Sequence, residues 1–165
     1  MRRNIIEQAF KLLNEPYGWG DMFGEQDCSG FICEVFSTFG ITLPRNSGTQ
    51  AKIGDIRGKF NDSTSVNEKI NVIKEKGIPG VTLLRKNGHI MLYLGLYNDN
   101  PYIIHETWAY PKKLGLKERK ILINKVVVSD LFLLGENTSA GSPIERINVI
   151  TNVLLPDIQK KLQSN

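Results

Sequence analysis

Two cysteines and two histidines in 165 residues restrict where nucleophilic chemistry can be done. Cys28 lies in Asp27-Cys28-Ser29-Gly30, just ahead of the apolar positions Phe31, Ile32, Val35, Phe36 and Phe39. That spacing predicts a helix beginning close to Cys28 and running to Phe39, with Gly40 as its stop. A cysteine in the first turn of a helix meets backbone N–H groups and the positive end of the helix dipole, which favour a thiolate. The same N–H groups can receive a developing oxyanion. Gly30 leaves room for a substrate backbone to approach. The plainer use of such a cysteine is packing, since free cysteine is commonly buried.

A thiol nucleophile needs a base. His89 and His105 both fall in segments that read as strands. Period-two alternation sets His89 on the face of Met91 and Tyr93, with Ile90, Leu92 and Leu94 opposite, and sets His105 on the face of Ile103. If the two strands pair, the imidazoles become neighbours. His89 then takes the thiol proton while His105 orients its far ring nitrogen, as the third member of a triad does. The competing use is two ordinary sheet histidines with satisfied hydrogen bonds. A metal site built from Cys28, Cys33, His89 and His105 fits poorly, because four residues separate the cysteines and fifteen the histidines. Zinc ligand pairs prefer separations of roughly two to five residues. No phosphate-binding glycine loop, EF-hand loop or His-Glu-x-x-His is present, so neither a metal nor another cofactor is expected. Positions five apart on a helix point roughly 140° from each other, so Cys28 and Cys33 are not expected to bridge. Cys33 reads as a core residue.

The elements that must position these residues are legible in outline. Residues 3–14 read as an amphipathic helix ended by Pro16. Tyr17 to Gly24 is a glycine-rich loop whose aromatic residues, Tyr17, Trp19 and Phe23, stand next to the nucleophile together with Met22. Loop aromatics often line ligand grooves, although Trp19 could equally plug the core. After the Cys28 helix, Pro44 to Ser47 is a turn, with Ser47 placed to cap a short helix through about Ile53. Residues 55–65 read as loop and Val66 to Lys76 as a helix stopped by Gly77. Strands are expected over Val81–Leu84, His89–Leu96, Tyr102–Glu106 and Ile121–Val128, with Asn87-Gly88 as a hairpin turn and Pro111–Lys120 as a connecting loop. Past Asp130, Gly135–Pro143 reads as a loop, Ile147 to Ile150 as strand or helix, and Leu155–Gln163 as a short terminal helix. Helices first and strands after predict a single α+β domain over 1–165, with its core in 3–130 and an unassigned tail over 131–165.

Composition narrows the function classes. Lys and Arg total 21 against 17 Asp and Glu, a formal charge of +4, and the pI is near 9.1. The charges are scattered rather than striped, which argues against nucleic acid as partner but not against an anionic polymer such as a cell wall. A hydrophobic fraction of 41% supports a real core. No stretch reaches the roughly 18 apolar residues of a membrane span. Glu7 interrupts any apolar core of a secretory leader. The chain is therefore expected to be either cytoplasmic or a domain cut from an exported precursor.

Taken together, these residues resemble the NlpC-type family of cell-wall cysteine peptidases. The matching text is Pro16-Tyr17-Gly18-Trp19-Gly20, Asp27-Cys28-Ser29-Gly30-Phe31, Phe39-Gly40-Ile41-Thr42-Leu43-Pro44-Arg45-Asn46-Ser47 with Gln50, Gly88-His89-Ile90 leading into Leu92-Tyr93-Leu94-Gly95, and finally His105. The resemblance implies a papain-like α+β fold in which the nucleophile helix packs against an antiparallel sheet. It implies Cys28 as nucleophile, His89 as base and His105 as orienting residue. It implies that Tyr17, Asp27, Ser29 and Ser47 line the substrate site, with Asp27 meeting the free amine of the stem peptide's L-alanine. The implied substrate is peptidoglycan, cut between γ-D-glutamate and a diamino acid, in the bacterial cell envelope or outside the cell. Pro79-Gly80-Val81 is closer to a subset of the family that carries bacterial SH3-type domains ahead of the catalytic one, and such domains are expected as companions rather than within these 165 residues. The competing functions are a CHAP-type amidase or an acyltransferase on the same fold, and a catalytically inactive wall-binding module.

Overall fold

The computed structural model of the protein describes residues 1–20, 26–133, 138 and 141–153. Helix α1 (Arg2–Lys11) is shorter than its apolar pattern suggests, because Leu12 already caps it and Asn14 turns the chain with φ of 73°. Helix α2 (Cys28–Ser37) starts where expected and buries Phe31, Ile32, Val35 and Phe36. Helix α3 (Ser47–Gln50) is a single turn. Its cap is Asn46, whose side chain accepts from Gly48 N–H, so Ser47 is the first helical residue rather than the cap. Strand β1 (Asp55–Lys59) occupies part of the stretch read as loop. Helix α4 (Val66–Lys76) is capped by Ser65, whose hydroxyl accepts from Glu68 N–H.

Strands β2 (Thr82–Lys86), β3 (His89–Tyr97), β4 (Asn100–Leu114) and β5 (Lys117–Asp130) follow as a meander. The turn at Asn87-Gly88 joins β2 to β3 with Lys86 opposite His89. The stretch read as a loop at Pro111–Lys120 is instead the far end of the β4–β5 hairpin, paired from Tyr110↔Ile121 to Leu114↔Lys117. Its charged, exposed sequence hides the strand pattern. Helix α5 (Pro143–Arg146) leads into β6 (Ile147–Asn152). The helix expected over 155–163 lies outside the described residues.

All six strands form one antiparallel sheet in the order β1-β6-β2-β3-β4-β5. The fold is α+β. Alternation along the strands supplies both faces of the sheet with a core. One face sets Leu83, Ile90, Leu92, Ile104 and Val126 against α1 and α2. The other sets Leu84, Met91, Tyr93, Ile103 and Ile150 with Ile73 of α4 and Ile144 of α5. No helix among the described residues is long and apolar enough to cross a membrane.

Strand β6 lies between β1 and β2, so the C-terminal part of the chain supplies an inner strand. Ile150 is fully buried there, whereas Ile56 on the edge strand β1 is exposed. Ile150→Ala should therefore cost about 2–5 kcal/mol in urea unfolding, while Ile56→Ala stays within about 0.5 kcal/mol. Equal losses at the two positions would contradict this placement of β6.

Candidate active site

Asp27 prepares the start of α2. Its backbone is extended, and its Oδ1 accepts from Ser29 N at 3.0 Å and Gly30 N at 2.9 Å. An aspartate at this position satisfies N–H groups that a helix leaves without partners. Cys28, the first helical residue, is 6% exposed and packs into the core beneath α2. Gln50, fully buried, donates from Nε2 to Ser29 O at 3.0 Å and Pro44 O at 2.8 Å. It ties the first turn of α2 to the turn that carries Arg45 and leads into α3 at Ser47. Cys33 receives a further contact from Gln50 at 3.2 Å and is not bridged to Cys28.

The two imidazoles meet as the strand pairing predicts. His89 Nε2 and His105 Nδ1 are 2.6 Å apart, with ring centroids at 4.9 Å and planes at 73°. His105 Nε2 lies 2.7 Å from Tyr110 Oη and 3.4 Å from Ser129 Oγ. One tautomer makes this row useful for proton transfer. His105 carries its proton on Nε2 and donates toward Tyr110, its bare Nδ1 accepts from His89 Nε2–H, and His89 Nδ1 is left bare to accept a proton. No sequence motif marks Tyr110. Five residues from His105, it belongs on the opposite face of a regular strand. An irregularity between Thr107 and Ala109 shifts that alternation and brings it round.

Burial dominates the electrostatics. It pushes the Cys28 thiol up, and the Asp27 charge adds to the rise, against the backbone amides of Ile90 and Ser29 and the Lys86 charge. The lowered thiol pKa expected from a helix start is thus outweighed by desolvation in the resting site. Burial, then His105, Lys86 and Arg146, pull His89 well below the usual imidazole range. Burial and Lys86 take His105 down to about 3. The resting site is a neutral thiol with neutral imidazoles. Among the described residues no hydrogen bond joins the Cys28 sulfur to either ring; such contacts commonly tighten only when substrate is bound.

A cleft of about 440 Å³ opens over Cys28, with Tyr17, Trp19, Asp27, Ser29, Arg45 and Ser47 on its walls. All four residues implied as substrate contacts are therefore gathered there. Tyr17 packs edge-on against Trp19 at 5.3 Å, and Trp108 completes the aromatic cluster. Trp19 is 59% exposed, so it stands at the rim and does not plug the core. Burial and the neighbouring Cys28 push the Tyr17 phenol up to about 12, which keeps it a neutral hydrogen-bonding group. Met22 and Phe23 lie outside the described residues. Arg45, unassigned from the sequence, grips Asp27 with both nitrogens, at 2.7 Å and 2.9 Å, and donates to Ser29 Oγ at 2.8 Å. Desolvation raises the Asp27 carboxyl, but the hydrogen bonds from Arg45, Gly30 and Ser29 hold it below its ordinary value.

The model of the NlpC/P60 family matches residues 14–117, which contain the cleft, Cys28 and both histidines. The chain belongs to the NlpC/P60 family. This NlpC/P60 domain is 33% identical over 102 residues to a probable endopeptidase p60 of Listeria seeligeri, covering 61% of this chain and 17% of that protein. It is 32% identical over 93 residues to a γ-D-glutamyl-L-lysine dipeptidyl-peptidase of Bacillus subtilis, covering 56% of this chain and 29% of that enzyme. The chain thus spans well under half the length of these relatives. The solved NlpC/P60 endopeptidase of Photobacterium damselae subsp. piscicida superposes with a TM-score of 0.75 at 26% identity, over 92% of this chain and 38% of that one. A non-catalytic NlpC/p60 domain protein of Mycobacterium tuberculosis shares the fold at 16% identity and a TM-score of 0.55, over 93% of this chain and 97% of that one.

In this NlpC/P60 domain the histidine row sets a pH dependence of stability. An unfolded imidazole titrates near 6.5 and the buried His105 near 3. Between those values the unfolded chain binds the additional proton, so stability falls as pH drops through that window. Urea unfolding at steps from pH 7 to pH 4 should show this fall. His105→Gln should flatten the slope by up to about 1.4 kcal/mol per pH unit. A wild type that gains stability on acidification, or an unchanged slope in the variant, would show that His105 is not held neutral.

Proposed function

We propose that the protein is a thiol peptidase that hydrolyses peptidoglycan stem peptides between γ-D-glutamate and the diamino acid that follows. The observation that carries this reading is the buried 2.6 Å contact between His89 and His105, beside a cleft that Cys28 at the start of a capped helix lines together with Gly88. Two sheet histidines with no chemical role need no such alignment.

The steps follow from the atoms available. His89 Nδ1 takes the Cys28 proton as the sulfur bonds to the γ-carbonyl carbon. The oxygen becomes an oxyanion. Asp27 already occupies the N–H groups of Ser29 and Gly30, so the remaining donor of this helix end is the Cys28 N–H itself. The tetrahedral species collapses, the C–N bond breaks, and His89 returns its proton to the leaving nitrogen. Water then adds to the thioester, losing a proton to His89, and the sulfur leaves and is reprotonated. Since burial opposes lone charges, the thiolate and imidazolium arise together as a pair and titrate as one unit.

The contacts proposed for the acyl side are Tyr17, Ser29, Ser47 and Asp27. Asp27 Oδ1 is saturated by the cap and Arg45, while Oδ2 holds Arg45 alone among the described residues. The amine of an N-terminal L-alanine is proposed to share Oδ2 with Arg45. The proposed substrate makes the bacterial cell envelope the place of action, with peptidoglycan or its muropeptides as partner and SH3-type domains as the companions expected of this subset.

Mass spectrometry of muropeptides digested with wild type, Cys28→Ala and Cys33→Ser tests the reaction. Wild type and Cys33→Ser should release fragments cut inside the stem, and Cys28→Ala none. Release of whole stem peptide from the sugar would indicate an amidase, and no change in any digest an inactive binding module. Asp27→Asn tests the amine contact. Its kcat/KM should fall roughly 10- to 150-fold for a free-amine peptide, the loss expected of a charge-assisted contact, and far less for the N-acetylated peptide. The same loss on both would leave Asp27 as a cap and Arg45 partner only.

A further inference from the structure

Past His89 lies a second cavity of about 340 Å³, whose described lining includes Lys86, Lys120 and Arg146 and no acidic residue. Tyr17, Trp19 and Gly88 line both this cavity and the cleft over Cys28. Cys28 belongs to the cleft and His89 to the second cavity. That division has a chemical meaning under the peptidase reading. The protonated base must reach the leaving nitrogen, so the departing fragment extends past His89 into the cationic cavity.

The cations are brought there by the sheet. Lys86 ends β2 opposite His89 of β3, and on its other side faces Ile147 of β6, the residue after Arg146. Lys86 is half-buried, and neither it nor Arg146 has an ion-pair partner among the described residues. Burial and the Arg146 charge pull the Lys86 ammonium down to about 8, and Cys28 acts in the opposite sense. It therefore stays mostly charged at neutral pH. Arg146 stands exposed at the mouth of this half-open cavity and Lys86 deeper in its wall; an anion between them would offset their mutual repulsion and the partial desolvation of Lys86.

We propose that Lys86 and Arg146 form a subsite for a carboxylate carried by the leaving amino acid. The proposal rests on the peptidase reading and adds a specificity to it. Two carboxylates fit: the α-carboxylate beside the scissile nitrogen, which is free only when the diamino acid ends the peptide, and the side-chain carboxylate of diaminopimelate. Aromatic walls from Tyr17, Trp19 and Trp108 suit the aliphatic stem of either residue.

The test compares three peptides: L-Ala-γ-D-Glu-L-Lys as the free acid, the same peptide as its C-terminal amide, and the meso-diaminopimelate peptide with its α-carboxylate amidated. Wild type should favour at least one carboxylate-bearing peptide over the L-Lys amide by roughly 10- to 150-fold in kcat/KM, and which one identifies the carboxylate. In Lys86→Met and Arg146→Gln that ratio should drop at least several-fold. Equal rates for all three in wild type, or a uniform fall in the variants with the ratio intact, overturn the subsite. A second readout does not need peptidase activity. In a Cys33→Ser background, Cys28 is alkylated with iodoacetate and with iodoacetamide, and the anionic-to-neutral rate ratio should fall several-fold in both variants. An unchanged ratio overturns the subsite whatever the peptides show. A lowered ratio without any cleavage keeps the anion subsite and removes the peptidase reading.

Discussion

The contact between His89 Nε2 and His105 Nδ1 exists only while β3 and β4 hold one register. Leu92 faces Ile104 and Tyr93 faces Ile103 in that register. A slip of one residue would turn every side chain of one strand to the other face and separate the two rings. The slip is opposed from both sides, because β3 and β4 send apolar residues into a core on each face of the sheet. The tight turn at Asn98 and Asp99, both with positive φ, closes the same hairpin. The packing that stabilises the sheet is thus also what aligns a polar row within it. His105, 1% exposed, cannot recover its hydrogen bonds from water if the row is broken.

Burial then decides the state in which the site rests. A helix start and a nearby lysine favour a thiolate, but desolvation and the Asp27 carboxylate oppose it and prevail. The imidazoles are likewise held neutral. Asp27 has a double effect here. It raises the thiol while organising the helix that presents it, and Arg45 moderates the first effect by pairing with the carboxylate. Charge separation in such a site is favourable only when both charges appear together within contact distance; under the proposed mechanism this couples proton transfer to the arrival of an electrophile. A thiol held protonated in this way is also a weaker target for oxidation than a thiolate.

The parts of this arrangement that were legible in sequence are those with a local signal. Cys28 is marked by a cap before it and an apolar stripe after it. The β2–β3 hairpin is marked by Asn87-Gly88, and the shared face of His89, Met91 and Tyr93 by simple alternation. What escaped has non-local causes. Strand β1 carries Asp55, Arg57 and Lys59 and exists because β6 pairs with it. The far end of the β4–β5 hairpin is solvated on both faces, so no period-two pattern marks it. Tyr110 reaches His105 only through a strand irregularity, and Arg45 reaches Asp27 across 18 positions of sequence. The place of Trp19 at the rim has no sequence signal, because a loop aromatic has no periodicity to choose between rim and core.

The C-terminal stretch shows why the boundary of the site cannot be set by its motifs. Those motifs end at His105, yet β6 enters the sheet between β1 and β2, and its neighbour α5 carries Arg146 to the wall beyond His89. Thr82 Oγ1 donates to Asn152 Oδ1, a buried link between the middle of the chain and its C-terminal strand. Lys69 on α4 donates to Glu145 O at 2.6 Å and fixes α5 from the opposite side. Cys28 and the histidine row come from residues 27–110, but the electrostatic character of the cavity beside them depends on a strand that joins the sheet from more than 35 residues further along the chain. The histidine row and the cationic cavity are therefore linked through one antiparallel ladder, and a change that loosens β6 alters the field at His89 without touching the histidine itself.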